Sequence, residues 1–137
     1  MSTYLNHVIN ASPTVTFPVA AEIEDARLLA IKLNAEGKAA VCTTAGEAFL
    51  GLGLHTTGDA EGKVKTGEWV DILVKDIGYG IAGAAVVAGK PLATDATGKL
   101  VEAAAGNFVI GYALTSAKNA GDHIQVQIAK GYLPTGA

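Results

Sequence analysis

Gly78, Gly80 and Gly83 follow the apolar run Val70-Asp71-Ile72-Leu73-Val74 in a GxGxxG spacing. Glycines so spaced let a dinucleotide pyrophosphate approach the backbone where a strand turns into a helix. That chemistry needs a strand before the glycines, a long helix after them and an acidic residue about 20 positions on for the ribose. Only the strand is offered. Ala84 to Ala88 runs into Gly89 and Pro91, which leaves about two turns for a helix, too few for a crossover that returns a parallel strand. Glu102 lies near the required distance, but beyond a turn signal at Asp95-Ala96-Thr97-Gly98, and the 54 residues after Gly83 cannot complete a doubly wound sheet. A phosphate loop fits less well. Gly89-Lys90 meets Pro91 where a Ser or Thr would ligate Mg²⁺, and Ala84 stands where the first glycine would let the loop wrap a phosphate. The three glycines read instead as bends and close-approach points where one hairpin hands over to the next.

The remaining reactive residue types form no constellation. His7, His55 and His123 show neither HxxxH nor HxH spacing, so they read as solvated or backbone-paired rather than as the ligand cluster a zinc ion needs. Cys42, the single cysteine, sits in the apolar run AAVCT; it reads as a buried small hydrophobe and cannot form an intrachain disulfide. Acidic residues are dispersed and no Ser occupies a GxSxG elbow. The expectation is a protein that is not an enzyme, with no catalytic, cofactor-binding or metal residue and no cofactor. Trp69 could anchor an interface, but its place in a strand favours packing in the core.

Composition points toward association. Among 137 residues, half are hydrophobic, but 25 are Ala, 17 are Gly and only eight are aromatic. Large core formers are scarce, so a monomer should be marginal and gain from burial against other chains. The length suits one domain plus an arm. Net charge is −3, 17% of residues are charged and Lys and Arg do not cluster, so nucleic acid is not expected as a partner. The first residues show no basic stretch leading into an apolar one, and no apolar run reaches about 18 residues, so neither a signal peptide nor a membrane span is expected. Synthesis in a cytoplasm-like compartment follows.

The elements that carry these residues read as β-structure. Residues 1–25 hold Pro13 and Pro18 among Ser, Thr and Val, which gives an extended arm. Arg27 to Leu33 fits a short helix or a strand, Asn34 to Gly37 a turn, and Ala39 to Thr43 a short strand. From Phe49 the chain echoes itself. Phe49 to Thr56 resembles Val109 to Ser116, with Gly51 over Gly111 and Leu54 over Leu114, and Gly67 to Val74 resembles Gly121 to Ile128. Ile124, Val126 and Ile128 alternate with Gln125 and Gln127, the period of a half-buried strand. Both copies therefore read as hairpins. The loop from Thr57 to Thr66 is six residues longer than its counterpart, and it should be exposed and mobile. Between the copies, Asp95 to Gly98 makes a hairpin turn in which Asp accepts a local backbone bond and Gly takes positive φ. The fold class is all-β, a small barrel or sandwich-like domain with an N-terminal arm.

Over roughly residues 48–130 the sequence resembles the capsid cement, or head decoration, proteins of tailed bacteriophages. The matching features are the apolar segment Ala84 to Gly89, the turn Asp95 to Lys99, the strand Val109 to Leu114 and the closing strand Gly121 to Ile128. Their order and spacing carry the likeness. The long Pro-containing arm and the Gly58 to Lys63 loop depart from the shorter family members. The resemblance implies a β-tulip-type domain over residues 26–137. It further implies binding to the outer surface of an assembled phage head, as a homotrimer that bridges neighbouring major capsid subunits. The protein would be made in the bacterial host cytoplasm and reside on the virion. An extended arm suits strand addition to an exposed sheet edge of a shell protein, so Tyr4, Leu5, Val8, Ile9, Pro13, Val15, Phe17 and Pro18 are the candidate capsid-binding residues. A trimeric fibre or adhesin module recognising a receptor or glycan is the alternative, with Tyr79, Tyr112 and Tyr132 as the aromatics it would use. A nucleotide-dependent enzyme ranks third.

Overall fold

Asn34 and Asp95 open the same turn at matched places in the chain, and that repetition organises the whole molecule. The structure, a computed structural model, describes residues 12–135, and every regular element among them is a β-strand. In each turn the side-chain Oδ1 accepts two backbone N–H bonds, from Glu36 and Lys38 in one and from Thr97 and Lys99 in the other. Gly37 and Gly98 supply the left-handed residue at φ 77° and 83°, which costs least without a Cβ.

Around these turns lie two sheets of identical topology. The first holds β1 (Thr14–Pro18), β2 (Ala30–Leu33), β3 (Ala39–Val41), β4 (Gly51–Gly53) and β5 (Trp69–Leu73) in the order β1-β5-β4-β2-β3. The second holds β6 (Ile77–Ile81), β7 (Pro91–Thr94), β8 (Leu100–Glu102), β9 (Phe108–Ala113) and β10 (His123–Tyr132) in the order β6-β10-β9-β7-β8. Replacing each strand of the first by the strand five places later gives the second. The registers agree as well. Leu52 faces Leu73 and Gly53 faces Ile72, while Tyr112 faces Gln127 and Ala113 faces Val126. Thr14 faces Leu73 as Ile77 faces Gln127, and Pro18 faces Trp69 as Ile81 faces His123. Leu28 and Gly89 both take positive φ, and each donates its N–H to the equivalent carbonyl, that of Gly53 or Ala113. The two expected hairpins are thus present as β4–β5 and β9–β10, and the repeat extends beyond them to two complete five-strand units.

The expected sandwich-like arrangement is found, but no barrel closes. In each unit the edge strands approach at one end through a single parallel bridge, Val19 to Ala39 and Ala82 to Leu100. Two cores result. One gathers Val19, Ile23, Ile31, Val64, Val70 and Ile72 inside the first unit. The other gathers Leu92, Leu100, Ile110, Ile124 and Val126 inside the second, together with Ala30, Cys42, Phe49 and Leu52 from the first. The second core is completed across the unit boundary because β6 carries glycines. A Cβ on Gly78 would meet the Leu73 side chain, and one on Gly80 would meet Leu100 with Leu52 just beyond. The GxGxxG spacing is therefore a receiving surface, as the close-approach reading expects; Gly83, likewise, lies against Asp95 and Val101. Main-chain bonds reinforce the boundary, with Ala30 N–H donating to Gly98 O at 2.8 Å and Gly46 N–H to Thr94 O at 2.9 Å.

Three local expectations need revision or resolution. Arg27 to Leu33 resolves as a strand from Ala30, since Leu28 turns left-handed just before it at φ 65°. The Thr57 to Thr66 loop is exposed at its tip but pinned along its length. Thr57 Oγ1 accepts from Asp71 N–H at 2.9 Å, Asp59 Oδ1 accepts from Glu61 and Lys63, and Val64 bridges to Ile23 inside the core. Trp69 lies outside the core at 59% exposure. Alternation places it on the outer side of β5 with Asp71 and Leu73, beyond the part of that side that the second unit covers.

Gly51 and Gly111 occupy equivalent places, and a Cβ at either would strike the backbone carbonyl of a cross-strand neighbour, Leu73 or Gln127. Backbone cannot yield as a side chain does. Gly51→Ala and Gly111→Ala should each lower stability by about 1–3 kcal/mol in chemical denaturation followed by circular dichroism. Gly131→Ala, with open space around the new methyl group, should stay within about 0.5 kcal/mol of the parent.

Candidate interaction surfaces

The N-terminal arm enters the described region already committed to the chain's own sheet. Tyr4, Leu5, Val8 and Ile9 lie outside the described residues. Pro13 is exposed, and its carbonyl accepts the N–H of Val74 at 2.8 Å. Val15, Phe17 and Pro18 belong to β1, which pairs with β5 over its whole length. Val15 and Phe17 face inward and pack, half-buried, on the first core. Thr16 faces outward and its Oγ1 donates to Asp71 Oδ1 at 2.7 Å. Pro18 stands opposite Trp69. Because β1 is the edge of its sheet, no strand among the described residues pairs with its second side, where Ser12 Oγ accepts from Thr14 N–H at 3.2 Å and donates to the Thr14 carbonyl at 3.1 Å; a sheet edge is the element that strand addition uses.

The two units differ in what their outer faces do. On the first sheet, Ala30, Leu52 and Leu73 point away from the first core and are buried against the second unit. The equivalent positions of the second sheet are Pro91, Tyr112 and Gln127. Leu52 is 0% exposed and Tyr112 is 45% exposed. Ile77, Gln127 and Tyr112 form one row across β6, β10 and β9. Tyr79 and Gln125 pair in the next row, and Leu114 N–H donates to the Gln125 carbonyl. Ile77, Tyr79, Tyr112 and Leu114 are all exposed, between 43% and 52%. None of these six side chains is charged. The period-two pattern of β10 revealed its inner residues, but nothing in the sequence marked its outer side as free.

His55 and His123 line one shallow cleft with Asp25, Arg27, Leu28 and Ile81, a proximity that sequence spacing does not show. Asp25 and Arg27 pair at 2.8 Å. The hydrogen bond from the guanidinium holds the Asp25 carboxyl below its usual range, and the carboxylate raises Arg27. Both side chains are more than a third exposed, so water screens most of the pair's worth. Among the described residues no three His, Cys, Asp or Glu side chains gather as a metal site. His7 lies outside the described residues. Cys42 is fully buried, and loss of water, with Glu47 nearby, pushes its thiol up to about 12. It stays protonated at neutral pH and behaves as the small apolar residue its surroundings suggested.

Glu47 fixes the bend that leads into β4. Its carboxylate accepts from Lys32 Nζ at 2.9 Å and from the N–H groups of Thr43 and Thr44 at 2.8 and 2.9 Å. Burial alone would raise its pKa, but the ammonium and the two backbone donors outweigh it and hold the group below its ordinary 4.5. Asn107 serves the same bend of the second unit without charge, accepting from Ala104 N–H. A carboxyl whose folded pKa is depressed contributes stability above its unfolded pKa and loses it as pH falls through the folded one. Glu47→Gln should therefore cost about 1–2 kcal/mol near neutrality. Thermal melts taken progressively into acid should show the gap between parent and variant closing below about pH 4.5.

Comparison with known proteins places this arrangement. Residues 10–128 match a family model described as "Phage cement protein". No curated protein matches the chain. Among solved structures, the "head fiber gp8.5 N base in bacteriophage phi29" superposes with a TM-score of 0.55 at 21% identity, over 88% of this chain and 96% of that one. At that identity the likeness is one of fold.

Proposed function

The chain belongs to the phage cement protein family, and from that premise we propose that it binds the outer surface of an assembled phage head and bridges neighbouring major capsid subunits. The family match over residues 10–128 carries the reading, because it takes in the arm from Asn10 on, the first five-strand unit, and the second unit as far as Ile128 within β10. The role is structural, with no chemistry performed. A body that binds only where two shell subunits stand side by side favours the closed shell over the broken one by mass action. Several modest contacts on one body multiply through effective concentration. Three chains act together as a homotrimer, and the protein becomes part of the virion after synthesis in the host cytoplasm.

The arm and the edge of β1 form the shell contact in this reading. Tyr4, Leu5, Val8 and Ile9 supply apolar side chains ahead of the free edge, and Pro13, Val15, Phe17 and Pro18 fix where that edge begins and how it lies on the body. Main-chain bonds to a shell strand need little sequence specificity, which suits a segment made of Thr, Val and Pro. Trp69, exposed opposite Pro18, extends the same surface with an aromatic anchor.

A fibre or adhesin module is the second reading. Its support is the fold shared with the phi29 head fiber base and the exposure of Tyr79, Tyr112 and Tyr132 on strands rather than in the core. A glycan array without hits counts against it.

Residues 1–11 precede β1, which begins at Thr14. Deleting them should reduce occupancy on purified phage shells by an order of magnitude or more, measured by co-sedimentation, while the melting curve of the free protein stays unchanged. Full occupancy after the deletion would remove the arm from the contact. Trp69→Ala should weaken binding about tenfold or more in the same assay.

A further inference from the structure

We infer that the outer face of the second sheet, centred on Tyr79, Tyr112 and Ile77, is where a second copy of this chain docks. The inference rests on the self-association in the proposed function and names its surface. The internal repeat supplies the argument. Within one chain, the outer face of the first unit is buried against the second unit, so this fold already covers that face with another copy of itself. The second unit has the same topology and register, yet Ile77, Tyr79, Tyr112 and Leu114 on its outer face stay exposed, with the first unit reaching only its β6 border, where Ile77 and Tyr79 share a cleft with Leu28, Leu54 and His55. Where the first unit places Ala30, Leu52 and Leu73, the second places Pro91, Tyr112 and Gln127, and β6 adds Ile77 and Tyr79 where β1 has Thr14 and Thr16. The open face thus carries the larger side chains.

Its chemistry suits burial against another chain of the same kind. Two tyrosines, an isoleucine and a leucine surround Gln125 and Gln127 across three hydrogen-bonded strands, and none of the six side chains carries a charge. Exposed tyrosine with an apolar neighbour is enriched at the centre of protein interfaces. Contiguous apolar surface of this kind is uncommon on a lone soluble body. A shell protein is the competing occupant, and the two differ in what they do to the free protein.

The test compares the full chain with Tyr79→Glu/Tyr112→Glu by sedimentation velocity and native mass spectrometry, with circular dichroism as the check on folding and shell co-sedimentation alongside. The parent is expected to associate, and the double variant to keep its spectrum but self-associate on the order of 100-fold more weakly, since two carboxylates resist burial. Should the charged variant fail to fold, Tyr79→Ser/Tyr112→Ser repeats the measurement without charge and is expected to weaken association about 30-fold or more. An oligomer that survives these substitutions overturns the assignment of the face and leaves self-association standing. A parent that stays monomeric both free and on shells overturns self-association itself, and the proposal with it. Loss of shell occupancy with the oligomer intact gives the face to the shell protein instead.

Discussion

Leu52 and Leu73 entering the space left by Gly78 and Gly80 is the contact on which the rest of the molecule depends. Both leucines belong to the first sheet; Leu52 joins the core of the second, and Leu73 packs against Gly78 at its border. Burying a leucine contributes roughly 1.5–3 kcal/mol, a large fraction of the stability of a domain this size. Without that insertion the second unit has an open side, and its own Leu92, Leu100, Phe108, Ile110 and Ile124 are left to share the core with small alanines and valines. The glycines are therefore as much a part of the packing as the leucines. One strand gives up its side chains so that another sheet can come close.

The same economy appears in the main chain. Short strands leave many N–H and C=O groups to be satisfied outside regular ladders, and polar side chains at bends take that task. Asn34 and Asp95, Glu47 and Asn107, and Glu68 and Asp122 each accept backbone donors at matched places in the two units. Lys130 reaches across the boundary to the Leu50 carbonyl, and Phe49 meets Phe108 edge-on with centroids 5.4 Å apart. A chain rich in Ala and Gly thus holds its shape by backbone pairing within each unit, with main-chain bonds such as Ala30 N–H to Gly98 O and Phe108 N–H to Gly46 O across the boundary, as well as by side-chain volume.

Much of this was legible in the residues. The hairpin echo, the Asp95 to Gly98 turn, the buried cysteine and the close-approach role of the glycines all follow from local chemistry, which a single chain displays. The full repeat was also written there. Asn34-Ala35-Glu36-Gly37-Lys38 stands to Asp95-Ala96-Thr97-Gly98-Lys99 as one turn to its copy, yet apolar similarity alone passes over it. β1 and β6 hide the relation most, because Phe17 and Gly80 occupy one register position with opposite tasks, filling a core and receiving a neighbour. Trp69 was misplaced for a related reason. A strand's alternation gives two faces, but which of them another unit covers is decided by tertiary packing.

Leu28 and Gly89 share a left-handed backbone position, as Phe17 and Gly80 share a strand position. Two units of one topology in one chain carry a hazard during folding, since β1 could pair with β10, or β6 with β5, in a register that satisfies every hydrogen bond. The divergent side chains act as a key against that exchange. Phe17 placed where Gly80 belongs would meet Leu100 and shut out Leu52, and a glycine placed where Phe17 belongs would leave the first core hollow. Each strand is thereby marked for its own sheet by bulk rather than by backbone complementarity, and the pairing that the hydrogen bonds alone leave degenerate becomes single-valued.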